Sequence, residues 1–159
     1  MARPARTAPL TDLKNAAMYV KLNAPTPSVF ADTMYVGDFT SVNPQGSRST
    51  QSLESSDRII SGVGPKSLQL SGQIVLAPDN ANLVIVHDSW KNGTILDVMF
   101  LIGAEPTTGA KNYVQYFTGL NAQWNASLNN GVWVADVQLI VFDGDSINSE
   151  FNVTAWPSL

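Results

Sequence analysis

Between residues 68 and 93 the spacing of apolar side chains changes once. Leu68, Leu70, Ile74 and Leu76 share one face of an extended chain, with Gln69, Ser71 and Gln73 opposite, which is the period-two pattern of a half-buried strand. Pro78 stops that pattern. Asp79 or Asn80 then offers a side-chain oxygen to the free N–H groups of a first helical turn. Leu83, Val86 and Trp90 recur at spacings of three and four, and Asn92-Gly93 supplies the left-handed residue that commonly ends a helix. The sequence therefore predicts a helix over residues 80–91, with Leu83, Val86 and Trp90 packed inward, set between two strands. One amphipathic helix among strands has to cover a side that the strands leave open.

The rest of the chain reads as β. Residues 17–23 and 33–42 form a first pair of strands, separated by prolines at 25 and 27, with Gly37 marking a bulge. Residues 94–103 are apolar on both phases apart from Asp97, as in a central strand buried on both faces. Residues 113–128 are long, mixed and aromatic, with Gly119 a second expected bulge. Asn129-Asn130-Gly131 is a hairpin signal, and residues 132–142 answer as its antiparallel partner. Residues 143–146 form a turn, and 147–156 a last extended piece.

Residues 43–65, by contrast, are polar and Ser-rich with no sustained period. This predicts a long loop, either an arm or hairpin that engages a neighbour or an insertion without a role. The fold class expected is mainly β, an antiparallel sandwich or barrel of about seven or eight strands with one short flanking helix. A single domain spans residues 1–159, with 1–16 as an N-terminal arm and 147–159 as a C-terminal arm.

Composition narrows the function classes. Apolar residues make up 44% and charged residues only 14%, so uncharged Ser, Thr, Asn and Gln must cover the surface, as suits sheets and contacts between protein surfaces. There is no cysteine, hence no disulfide, thiol nucleophile or thiolate metal site. No apolar run reaches the roughly 20 residues of a membrane span, and the first 25 residues lack a signal-peptide core, which leaves the cytoplasm as the default compartment. Net charge is −4, unevenly spread: residues 1–66 hold seven Lys/Arg against five Asp/Glu, residues 67–159 two against eight. An acidic body is poorly suited to holding nucleic acid; it reads either as an ordinary solvated surface or as a wall that repels polyanions.

Catalytic signals are sparse. The only histidine, His87, lies on the predicted helix beside Asp88, and adjacent helix positions point apart, so the carboxylate is badly placed to orient the imidazole. Asp-Gly-Asp-Ser at 143–146 lacks the later ligands of a calcium loop. No enzyme activity, cofactor or metal is expected. The aromatics Tyr116, Trp124 and Trp133 could form a stacking platform for sugar rings, or simply pair across the sheet.

In the order of its parts the chain resembles bacteriophage tail tube (major tail) proteins. The resemblance rests on paired N-terminal strands over residues 17–42, the polar stretch 43–65, "SLQLSGQIVLAPDNANLVIVHDSWKNGTILDVMFLIG" as strand, helix, strand, and the hairpin "YVQYFTGLNAQWNASLNNGVWVADVQLIVF". It implies a structural virion protein whose six-fold rings stack head to tail into a hollow tube that conducts DNA, assembled in the host cytoplasm. Strands would join edge to edge between subunits, and the long loop and arms would bridge rings. Its partners would be further copies of itself, with tape-measure, terminator and baseplate proteins at the tube ends. On this reading Arg48, Glu54, Asp57 and Arg58 are candidates for inter-ring contacts, and Asp97 and Asp136 for an acidic lumen. The alternatives from other classes are a carbohydrate-binding β-sandwich, a capsid decoration protein and another tail-assembly part.

Overall fold

The structure, a computed structural model, describes residues 16–55, 58–107 and 109–159. In chain order the elements are β1 (Ala16–Leu22), β2 (Tyr35–Ser55), β3 (Arg58–Val75), α1 (Ala81–Asn92), β4 (Leu96–Gly103), β5 (Asn112–Asn129), β6 (Val132–Val141) and β7 (Asn148–Phe151). One sheet runs β4-β1-β2-β3-β6-β5-β7, and β4 pairs again with β5. Six strands therefore close into a barrel, every pair antiparallel, and β7 continues the line of β6 along the same edge of β5.

Period-two alternation sends one side-chain set into the barrel. Met18, Val20, Phe39, Leu70, Ile74, Val98, Phe117 and Leu139 form its interior. Gly72 is required there, because a Cβ at that position would collide with the Phe39 ring. The alternate set on β1, β4 and β5 (Ala17, Tyr19, Met99, Leu101, Val114, Tyr116) forms a second core outside the barrel, covered by Phe30, Val153, Trp156 and Leu159. That is why β1 and β4 are buried on both faces, as the two-phase apolar pattern of β4 predicts.

The C-terminal segment, expected as an arm, is instead a strap on its own barrel. Val29 bridges Ser158, Phe30 N–H donates to Pro157 O at 2.9 Å, and Asn112 holds Val153 at both backbone groups (2.8 and 3.0 Å). The expected N-terminal arm lies outside the described residues except for Ala16, which begins β1 and is buried.

Helix α1 forms where the change of period places it. Asn80 is its N-cap, accepting from Asn82 N–H at 3.0 Å while its own amide donates to Val36 O at 2.7 Å. Gly93, at φ 70°, ends it and donates to Ser89 O. Leu83 and Val86 pack into the interior cluster, so the helix plugs one mouth of the barrel. Trp90 departs from the expectation: it is 45% exposed, and Ser89 takes the third inward position. The small Ser89 side chain lets the helix approach β5 closely, its Oγ donating to Thr94 O (2.6 Å) and accepting from Asn121 N–H (3.0 Å). An indole there would not fit.

The polar stretch 43–65 is the second departure. It is not a loop but the distal part of a two-stranded ribbon, paired from Pro44 opposite Leu70 to Ser55 opposite Arg58, with register shifts at Thr40/Asn43 and Arg48/Thr50. β3 pairs with β6 only from Gln69 onward, and β2 with β1 only up to Phe39. Beyond those points the two strands have only each other as strand partners among the described residues. Leu68 still packs into the barrel interior and Lys66 Nζ donates to Ile147 O (2.7 Å), so the ribbon leaves the barrel beyond Lys66. It does so at the end opposite α1 and the β5–β6 turn, because Val75 lies level with Val134 and Gln69 with Ile140.

Candidate functional site

The features that distinguish this barrel are open edges rather than a cleft. In the part of the sheet formed by β2, β3, β6 and β5, one flank is β2 beyond Thr40 and the other is β5 over residues 123–129. β4 pairs with β5 only from Asn112 to Gly119, so the distal half of that strand has β6 on one side and no strand on the other among the described residues. Helix α1 covers the start of this edge, where Asn121 N–H donates to Ser89 Oγ, and the open part follows it. Exposed strand edges invite pairing with another chain, and a two-stranded ribbon is marginally stable alone.

The outward face of these strands is polar at its centre, with Val75, Val132 and Ile140 at its margins. Cross-strand registers align Ser71 with Gln138 and Gln123, and Gln73 with Asp136 and Asn125. Gln73 Nε2 donates to Asp136 Oδ1 at 2.8 Å, and Asn129 Nδ2 to Gln73 Oε1 at 3.4 Å. Asp136 is half-buried and is the single carboxylate in this ladder of amides and hydroxyls.

Asp97, the other lumen candidate, has a different place. It has no exposure, and its carboxylate accepts from Lys21 Nζ (3.0 Å), Asn23 Nδ2 (2.9 Å) and Thr118 Oγ1 (2.9 Å). Lys21 is opposite it in the β1–β4 register and also donates to Ser28 Oγ and Leu159 O. Asp97 is thus a structural partner that holds the strap region, with its charge matched inside the subunit.

Of the proposed ribbon contacts, Arg48 is exposed and stands opposite Lys66. Glu54 stands opposite Ile59 and Arg58 opposite Ser55 near the ribbon's end, and Asp57 lies outside the described residues. The three residues of the sugar platform are not brought together: Tyr116 lies on the other side of the sheet from Trp124 and Trp133. Tyr116 lies in the outer core under β7, with its hydroxyl donating to Glu150 Oε1 at 2.8 Å, and burial with this carboxylate beside it raises its pKa above the usual phenol value. Trp124 packs against the opposite, interior cluster, because the bulge between Asn121 and Gln123 resets the alternation of β5.

Sequence reasoning missed an apolar patch at the helix end of the barrel. Val84 is 49%, Leu128 60% and Trp133 57% exposed. Leu128 and Trp133 are paired at the hairpin tip on the same side as Trp124. His87 sits between Trp124 (ring centroids 5.0 Å) and Trp90 (5.6 Å), with Asp88 3.6 Å from Nδ1.

No protein-family model matches the sequence, and no curated protein matches it. Solved structures do match. A chain of the tail of an empty GTA particle, refined with C6 symmetry, is 12% identical with a TM-score of 0.54, covering 84% of this chain and 94% of that one. An Hcp protein crystal structure gives 9% and 0.51, covering 86% and 98%. A chain of the anti-feeding prophage baseplate, six-fold symmetrised, gives 11% and 0.50, covering 96% and 99%. At the level of fold, the chain is similar to these tail, Hcp and baseplate structures.

Proposed function

We propose that this chain is a tail tube subunit, a structural protein that polymerises as stacked rings into a hollow tube conducting DNA. The observation that carries the reading is the pair of open edges. Because neighbouring strands alternate in direction, β2 and β5 run oppositely. A second copy that sets its β2 edge beside the β5 edge of the first therefore continues the antiparallel alternation. Two different edges meet, so the contact is heterologous and closes into a ring when the rotation allows. The six-fold symmetry of the GTA tail structure supports six copies per ring.

In such a ring the polar face of β3, β6 and β5 would line the lumen. Amides and hydroxyls with one carboxylate, Asp136, give a surface that is weakly acidic and offers phosphates no cation, so DNA passes without sticking. The ribbon, with Arg48, Glu54, Asp57 and Arg58, would reach the next ring. Tape-measure, terminator and baseplate proteins would meet the tube at its ends, within a virion tail assembled in the host cytoplasm.

Electron microscopy of the concentrated protein tests this. Rings or tubes of constant width are expected, and a persistent monomer by light scattering at the same concentration would refute it. Deleting residues 47–58 should leave the barrel folded and abolish tube growth.

A further inference from the structure

The end of the barrel opposite the ribbon carries a groove of about 220 Å³. Leu76, Leu83 and Trp124 form its floor, Val84 and His87 one wall. Leu128 and Trp133 prolong the floor outward along the hairpin tip. Exposed aromatic and aliphatic side chains converging on a concave site mark a binding surface.

Three observations select its occupant. First, the groove and the ribbon lie at opposite ends of one subunit, so head-to-tail stacking brings one copy's ribbon to the next copy's groove. Second, β3 continues from Leu68 back to Arg58 beyond its last pairing with β6. The part beyond Lys66, which is itself still tied to Ile147 O, is about 25 Å long at the usual strand rise, enough for the ribbon to reach onto the end of the next subunit. Third, the distal ribbon carries Leu53, Ile59, Ile60 and Val63 in its sequence, with Leu53 opposite Ile60. A ribbon without a third strand needs a surface to dock on.

We infer that the groove between α1 and the β5–β6 tip seats the β2–β3 ribbon of the axially adjacent copy. The inference rests on the tube reading and assigns its receptor. His87 and Trp133 become interface residues, and the contact is made mainly by apolar surface.

The chain has no cysteine, so single-cysteine variants test the contact directly. Val84→Cys and Ser61→Cys are prepared separately, one with an affinity tag, mixed under assembly conditions and treated with a short bis-maleimide. A cross-linked dimer should appear in the mixture and in neither variant alone. Tubes by microscopy without that mixed product would overturn the inference and leave the tube reading standing. Val84 linked to Val84 would overturn it in favour of a symmetric contact. Failure of the unmodified chain to form rings or tubes would overturn both. As a second measurement, Val84→Asp combined with Trp133→Asp should shorten assemblies at least tenfold, to single rings, while the far-ultraviolet spectrum of the subunit is unchanged. Full-length tubes from that variant would also overturn the docking site.

Discussion

Replacing Lys21 with Met should destabilise the subunit far more than a lost surface ion pair does. Lys21 and Asp97 have side-chain exposures of 8% and 1%, so solvent screens the pair little. Removing the cation leaves a buried carboxylate with only the Asn23 and Thr118 donors. It also removes the donor to Leu159 O, one of the bonds that hold the strap. Breaking a buried pair from one side costs about 3–5 kcal/mol, at least a fifth of the roughly 5–15 kcal/mol that keeps a domain folded. With a urea slope of about 2 kcal/mol per molar, the midpoint should fall by about 1.5–2.5 M. Adding Asp97→Asn to Lys21→Met should recover more than half of the loss, because the amide carries no charge to bury. A midpoint shift below about 0.5 M for the single variant, or no recovery in the double, would refute the claim that an unmatched buried charge is the cause.

The helix gives two further tests. Leu83→Ala should cost about 2–5 kcal/mol by chemical denaturation and Trp90→Ala less than about 1, reversing their expected equivalence on one inward stripe. Asn80→Ala should cost about 2 kcal/mol or more, since it removes the N-cap and leaves the buried Val36 carbonyl without its donor. Tyr116 supplies a pH test. Its folded-state pKa is raised, so its stabilising effect is complete below the ordinary phenol value near 10 and is lost as pH rises through the folded value. Tyr116→Phe should remove a late step from the phenolate difference absorbance together with its share of the alkaline loss of stability.

Which parts were legible in the sequence follows from which residues face a core. Pro78, Asn80 and Gly93 bound the helix because each acts locally, through a missing donor, a cap and a left-handed backbone. The inward direction at Trp90 is underdetermined because residues 83–86 are apolar without a break, and only the contact with β5 selects Ser89. The ribbon reads as a loop because alternation arises only where one side of a strand lies on a core, and this one leaves the barrel. Asp97 carries a signal of its own. Lys21 and Asp97 are single charges on two otherwise apolar strands, and such pairs commonly meet in register.

Unequal strand lengths are what connect the fold to assembly. β1 and β4 have seven and eight residues, whereas β2, β3 and β5 have 21, 18 and 18. The short strands close the barrel over part of the long ones, and the remainder runs on without a partner inside the subunit. A barrel of equal strands would have no edge to offer and no reason to polymerise. Here the same antiparallel pairing that closes the monomer is left incomplete at β2 and β5, in opposite directions and on opposite flanks. A designed extra strand, supplied as a separate peptide that pairs with residues 123–129, should therefore raise the stability of the monomer and suppress ring formation together. A peptide that stabilises the monomer but leaves rings intact would place the lateral contact elsewhere than on the β5 edge.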